Sequence, residues 1–197
     1  MTSTPSSTCT LLPPRLISTT QDSPNGLEAS VHTLPKPLIR EFRHVFGDKY
    51  LESGEDLTQH GDCELLAIPT NQHALHDLVG VGDEIEREKD RLLNVFLEFG
   101  KDLTSKLRSK GLWADYIDPC SGLPMVTLDC NKVYSEVDGM ECLLNYKAYN
   151  AGFCKILTHP KWGSSVYPGT IFCYAPPQLV MDMLNQYPAA KTTNTTK

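Results

Sequence analysis

No stretch of this chain approaches the roughly 20 consecutive apolar residues that a membrane-spanning helix needs. It also lacks a CxxC pair, although it carries seven cysteines; zinc sites usually show such close pairs, so a structural zinc site is not expected. GxGxxG and Walker A phosphate loops are missing, as is a G-x-S-x-G nucleophile elbow, and no Ser/His/Asp constellation can be picked out. Basic residues are in deficit. There are 18 Lys and Arg against 24 Asp and Glu, giving a net charge of −6, with no basic stripe interleaved with aromatics. That balance argues against a reader of nucleic-acid phosphates. The odd cysteine count and the lack of a secretory signal fit free thiols in a reducing cytosol. Cys63, Cys142 and Cys173 then read as small packing residues.

The 40% hydrophobic content over 197 residues is enough for one core with tails. Residues 1–26 are rich in Ser, Thr and Pro and read as a disordered tail, as do residues 188–197; such composition buries too little apolar surface to offset ordering entropy. The first 21 residues contain no acid, faintly like a transit peptide. Arg15 is their only basic residue, however, and transit peptides are usually Arg-rich. A single α+β domain is expected over residues 27–187.

Within it, Ala29 to Leu34 alternates as a short strand. A helix follows Pro35 and Pro37, with Leu38, Phe42, Val45 and Phe46 on one stripe and Gly47 at its end. Residues 47–60 read as a polar loop, and Cys63 to Ile68 as a buried strand. The strongest helix spans 83–110, with Asp83 as its cap, acids in its first turn, cations in its last, and Gly111 beyond. Its stripe is Ile85, Leu92, Phe96, Phe99, Leu103 and Leu107, and so long a one-sided helix should back a sheet. Trp113 to Ile117 reads as a strand, with further strands at Met125–Leu128, Leu143–Tyr146, Phe153–Leu157 and Thr170–Tyr174. A short helix covers Gln178 to Leu184.

The candidate chemistry is thin. Asp115 and Asp118 are three apart, on opposite faces of a regular strand, and Asp118 before Pro119 reads as a turn-forming residue. His73 and His76 have a spacing that can chelate metal on a helix, but a solvated loop or helix face is the stronger reading. His159 precedes Pro160 at a strand end, and Trp162 lies three residues on; a histidine ring is a natural partner for a buried indole.

Four blocks in order carry a resemblance: Glu84-Ile85-Glu86-Arg87-Glu88, then Trp113 through Leu123, then Gly152-Phe153-Cys154-Lys155, then His159-Pro160-Lys161-Trp162-Gly163. Both tryptophans of the chain fall in these blocks. Over roughly residues 28 to 176 the chain resembles the cblD-type cobalamin-trafficking adaptors, the family of methylmalonic aciduria and homocystinuria type D. One position departs: where the family has a Cys-Cys pair, this chain has Phe153 and Cys154.

The resemblance implies a modified nitroreductase-like sandwich without flavin: a mixed or antiparallel sheet backed by a long helix. It implies a non-enzymatic adaptor that docks on the cblC-type cobalamin-processing chaperone. The adaptor would direct cobalamin to methionine synthase in the cytosol and methylmalonyl-CoA mutase in mitochondria. No cofactor is expected on the chain alone; cobalamin would be carried by the partner, and neither nucleic acid nor membrane is an expected partner. Without a clear leader, a cytoplasmic location is expected, with a mitochondrial form as the second possibility. The docking candidates so implied are Phe153, Cys154, Lys155, His159 and Trp162, with Cys154 as a possible cobalt ligand in the complex. A thiolate is a soft donor that suits late transition metals, and Lys155 beside it would favour its deprotonation. Strand alternation nevertheless sets Cys154 on the side of Ile156, taken as the core side, so a buried packing thiol is the first reading. The alternative to the adaptor is a divergent nitroreductase-like flavoenzyme, which would need a cluster of Arg or Lys and backbone amides for the flavin phosphate. A protein that binds cobalamin by itself would be expected to show D-x-H-x-x-G, which the chain does not contain.

Overall fold

The computed structural model describes residues 9–19, 26–47, 62–152 and 154–190. They form an α+β fold whose main sheet has five strands, all paired antiparallel, in the order β1-β2-β3-β7-β4. The strands are β1 (Thr10–Ile17), β2 (Leu27–Thr33), β3 (Glu64–His73), β4 (Trp113–Tyr116) and β7 (Val166–Ala175). A separate pair, β5 (Lys147–Ala151) and β6 (Cys154–Thr158), makes a second, two-stranded sheet. Four helices complete the described residues: α1 (Lys36–Phe46), α2 (Asp83–Arg108), α3 (Glu136–Leu144) and α4 (Pro177–Asn185).

Pattern dictates most of this. In α1, Leu38, Phe42, Val45 and Phe46 are buried as their spacing predicts, proline sits in the first turn, and Gly47 closes the helix at φ 80°. In α2, Phe96, Phe99, Leu103 and Leu107 are buried against the sheet and Leu92 is buried beside them, while Ile85, expected on the same stripe, is only partly buried; acids fill the first turn and Lys106 and Arg108 the last. The helix sits unusually close, and two glycines permit it. A methyl at Gly169 of β7 would lie 2.6 Å from the Phe96 ring, and one at Gly100 of α2 would lie 2.9 Å from the Tyr116 ring. The cap differs from expectation: Gly82 is the N-cap and Asp83 is the first helical residue, where its charge still meets the helix dipole.

Other expectations give way. Residues 10–17, assigned by composition to the tail, form β1, because pairing with β2 satisfies a backbone whose side chains alone predict little order. Pro13 and Pro14 are tolerated there because β1 is an edge strand with an irregular register. The expected strand at Met125–Leu128 is instead a turn region, tied to Asp115 as described below. The expected strand at Leu143–Tyr146 is the end of α3 and the approach to β5. Ser135 caps that helix by accepting the Asp138 N–H, and Asn145 ends it in the left-handed region. β3 is longer than the apolar run that announced it, continuing through Pro69 and four polar or charged positions to His73. The readings of residues 1–8, 20–25, 48–61 and 191–197, and of Phe153, lie outside the described residues.

The main sheet separates two cores. One, under α2 and α4, gathers Leu27, Ala29, Val31, Leu66, Ile68, Ile171 and Cys173. The other face divides: α1 packs Phe42 and Phe46 on Trp113 and Phe172 at one end, and a smaller group of Met140, Tyr146, Leu157 and Val166 lies under α3 and the β5–β6 hairpin.

Candidate partner-docking site

β2 shows why the second face is special. Its residues alternate apolar and polar, and Glu28, Ser30 and His32 share one face. All three are buried. The Glu28 carboxylate is the hub of a buried cluster: Oε1 accepts the Tyr146 hydroxyl at 3.1 Å and lies 3.2 Å from His159 Nε2. The Lys161 N–H donates to His159 Nδ1 at 3.2 Å, so Nε2 is the nitrogen that carries the proton toward Glu28. Burial, and then the nearby Glu28 charge, push the Tyr146 hydroxyl above the usual phenol range. His159 stacks on Trp162 at 3.8 Å between ring centroids, and His73, the last residue of β3, stacks on the same indole at 5.1 Å. Burial first, and then the neighbouring His159, lower the His73 pKa against an opposing pull from Glu88. The turn carrying these groups is closed by reciprocal backbone bonds between His159 and Gly163, the latter at φ 59°.

His159 and Trp162 are therefore brought together, as their spacing suggested, but in a packing and orienting role. Both imidazole nitrogens are engaged within the protein, which removes His159 as a free base or a metal ligand in this state. His73 is not on a solvated loop; it closes a central strand against Trp162, while His76 is exposed beyond it.

Cys154 corrects the expected geometry. It does share a side with Ile156, but that side is not the core: Cys154 is exposed, and Leu157 is the buried residue of β6. The thiol lines an apolar surface pocket of about 520 Å³, with Ile156, Leu157, Val137, Val166 and Pro168. Lys155 does not serve the thiol. Its ammonium is tied to Asp138 of α3 at 2.6 Å and to Glu141, and these bonds raise its pKa. The ion pairs fasten the hairpin to α3. Phe153 lies outside the described residues.

The two aspartates prove structural. Asp115 is fully buried and accepts backbone N–H bonds from Tyr116, Met125, Val126 and Thr127, pinning the 124–127 segment. Asp118 accepts from the Cys120 and Ser121 N–H groups and from the Ser121 hydroxyl, a turn of the expected kind. Among the described residues no group of three or more His, Cys, Asp or Glu side chains is placed to hold a metal. Of the thiols, Cys173 is buried, with its pKa pushed up to about 12 by burial, whereas Cys120 and Cys154 are exposed.

Sequence reasoning missed Glu28 and Tyr146. A signal existed for Glu28, an acid inside an alternating strand whose other face carries Leu27, Ala29 and Val31. Tyr146 had none, because it follows a helix end that was read as strand.

The methylmalonic aciduria and homocystinuria type D protein family matches residues 17–185. The chain is 30% identical over 149 residues to a curated rat (Rattus norvegicus) protein called cobalamin trafficking protein CblD, covering 76% of this chain and 47% of that one. The human (Homo sapiens) protein of the same name is 30% identical over 151 residues, 77% of this chain and 47% of its own length. The mouse (Mus musculus) protein is 29% identical over 149 residues, with 76% and 47% covered. The chain thus spans about half the length of the curated relatives it matches.

Proposed function

The chain belongs to the methylmalonic aciduria and homocystinuria type D protein family, and from that premise we propose that it is an adaptor in intracellular cobalamin trafficking. In this reading it docks on a cblC-type chaperone that holds the cobalamin and hands the cofactor toward methionine synthase and methylmalonyl-CoA mutase. Cobalamin is cargo, carried by the partner. The observation that carries the reading is the family match across nearly all of the described fold, joined to an exposed Cys154 thiol at the rim of an apolar pocket.

The chemistry of the residues supports a presenting surface. A thiolate is a soft donor suited to cobalt, and an exposed one can reach a metal held by a second protein. The pocket beside it is apolar, and water-poor surroundings strengthen such a contact. Glu28, Tyr146, His159 and Trp162 do not touch the cargo in this reading; they fix the hairpin that presents Cys154. A non-catalytic role is supported by the engagement of both His159 ring nitrogens and by the locking of Asp115 and Asp118 in backbone bonds. The antiparallel sheet backed by a long helix is compatible with a flavin-free nitroreductase-like arrangement.

The test is reconstitution of the full chain with a cobalamin-loaded cblC-type chaperone. A complex should form, and its cobalamin absorption spectrum should show sulfur ligation that Cys154→Ser removes while docking persists. An unchanged spectrum in Cys154→Ser would remove the thiolate from the reading; failure to form any complex would remove the adaptor role. Tight flavin binding by the isolated chain would favour the flavoenzyme instead.

A further inference from the structure

The pocket beside Cys154 is lined by Cys154, Lys155, Ile156 and Leu157 without a break. Successive strand residues point to opposite faces, so a pocket lying on one face of β6 would touch alternate residues only. Four in a row, with Ala151 of β5 beside Cys154 at the hairpin end, mean that the pocket runs along the edge of β6 and around its start. Among the described residues β6 pairs with β5 alone, and none of them pairs with this edge.

The register says which groups are offered. Ala151 faces Cys154 at the chain reversal, and the pair that closes a tight hairpin exchanges both backbone bonds; pairing then alternates through Tyr149 with Ile156 and Lys147 with Thr158. The N–H and C=O groups of Lys155 and Leu157 therefore point away from β5. Among the described residues neither makes a backbone hydrogen bond to another element. The facing wall is Leu78, Val79 and Val81, with Val81 96% exposed, and the floor is Val137, Val166 and Pro168. An open strand edge beside exposed aliphatic side chains is a template for another strand.

Charge narrows the occupant. Val81 also borders a neighbouring surface pocket lined by Asp83, Glu84, His76 and Arg87, and the exposed Asp77 precedes the wall in sequence. The two lysines that line the pocket are already committed, Lys89 to Glu86 and Lys155 to Asp138 and Glu141. The rim is thus acidic in balance, despite Arg87 on the same helix.

We propose that this groove takes an extended segment of a partner protein as a third strand on β6. Its backbone bonds to Lys155 and Leu157, its alternate aliphatic side chains rest on Val137, Val166 and Pro168, and a basic residue at one end faces the acidic rim. This deepens the adaptor reading, on which it rests for the expectation of a protein partner, by naming the mode of docking; it does not need the cargo.

The experiment uses the full chain in two arms. In the first, a short peptide of alternating valine and threonine between terminal lysines is titrated while amide exchange is followed by NMR. The same peptide is also tested N-methylated at alternate residues in each of the two registers. Binding should slow exchange at Lys155 and Leu157, and one methylated register should bind roughly tenfold more weakly while the other is unaffected. Equal behaviour of the two registers, or protection elsewhere without these two amides, overturns strand addition. In the second arm the cblC-type chaperone replaces the peptide. A complex that forms while both amides stay unprotected overturns the groove proposal and leaves the adaptor standing. Register-selective peptide binding with no chaperone complex does the reverse.

Discussion

The two faces of the main sheet are built on different principles. Under α2 and α4 the contact is almost wholly apolar and close: Phe96 lies over Gly169, Tyr116 over Gly100, and Gln72 reaches across to the Leu92 carbonyl at 2.7 Å. Under α3 and the hairpin the face holds Glu28, Asn71, His159 and Glu136, all buried. The first face gains from area removed from water; the second depends on each polar group finding its partner, because a buried polar group without one is costly. The polar face lies beneath the hairpin that presents Cys154. The apolar face supplies the rigidity, and the polar face fixes an orientation.

The sharpest way to break this contrast is Phe96→Ala. It should cost about 3–5 kcal/mol in denaturant melts, because the closely packed site cannot collapse around the void. A cost near that of an exposed substitution would show the apolar face to be loosely packed.

Next comes the polar face and pH. Glu136 is buried, with its pKa raised to about 8 by desolvation, against the opposing bonds from the Thr170 N–H at 3.0 Å and the Thr170 hydroxyl at 2.5 Å. A carboxyl whose folded pKa lies above its unfolded value near 4.5 binds its proton more tightly when folded. Its contribution is therefore complete below the unfolded pKa and is lost as pH rises through about 8. Glu136→Gln should flatten this part of the stability profile and be roughly 2–4 kcal/mol more stable than the native chain near pH 9, measured by melts across pH. Parallel profiles for the two proteins would show that Glu136 is ionised in the fold.

Glu28→Ala should cost about 2 kcal/mol, since it leaves the Tyr146 hydroxyl and His159 Nε2 buried without their acceptor. Amide exchange should rise selectively in residues 147–163. Uniform loosening of the whole sheet would mean that Glu28 does not hold the hairpin in particular.

The smallest effects belong to the exposed positions. Cys154→Ser and Glu98→Ala should each change stability by less than about 0.5 kcal/mol. Under alkylation Cys154 and Cys120 should react first, and Cys173 only on unfolding. Early labelling of Cys173 would mean that the apolar face opens.

Much was legible without coordinates. The stripe of α2, the stripe and stop of α1, and the turn at Asp118 follow from residue spacing and local chemistry, which act within a few positions along the chain. β1 was not legible, because its Leu and Ile residues are interrupted by Pro13 and Pro14 and sit in a segment rich in Ser, Thr and Pro, and the edge strand is ordered by its partner. α3 was hidden by the short apolar run Leu143 to Tyr146, which fits strand and helix alike.

The site divides in the same way. The family blocks named Cys154, Lys155, His159 and Trp162, but alternation alone could not tell which side of β6 faces the core. That depends on where α3 and residues 78–81 pack, and their packing left Cys154 outside and sent Lys155 to Asp138 and Glu141. The sequence by itself determined the family, the periodic elements and the thiol at position 154, because these rest on residue identity and short-range spacing. Only the tertiary structure decided that Glu28 lies beneath His159, 131 positions away, and that among the described residues β6 pairs with β5 alone. Contacts between distant segments are set by how the layers close on one another, and a one-dimensional pattern does not carry that information.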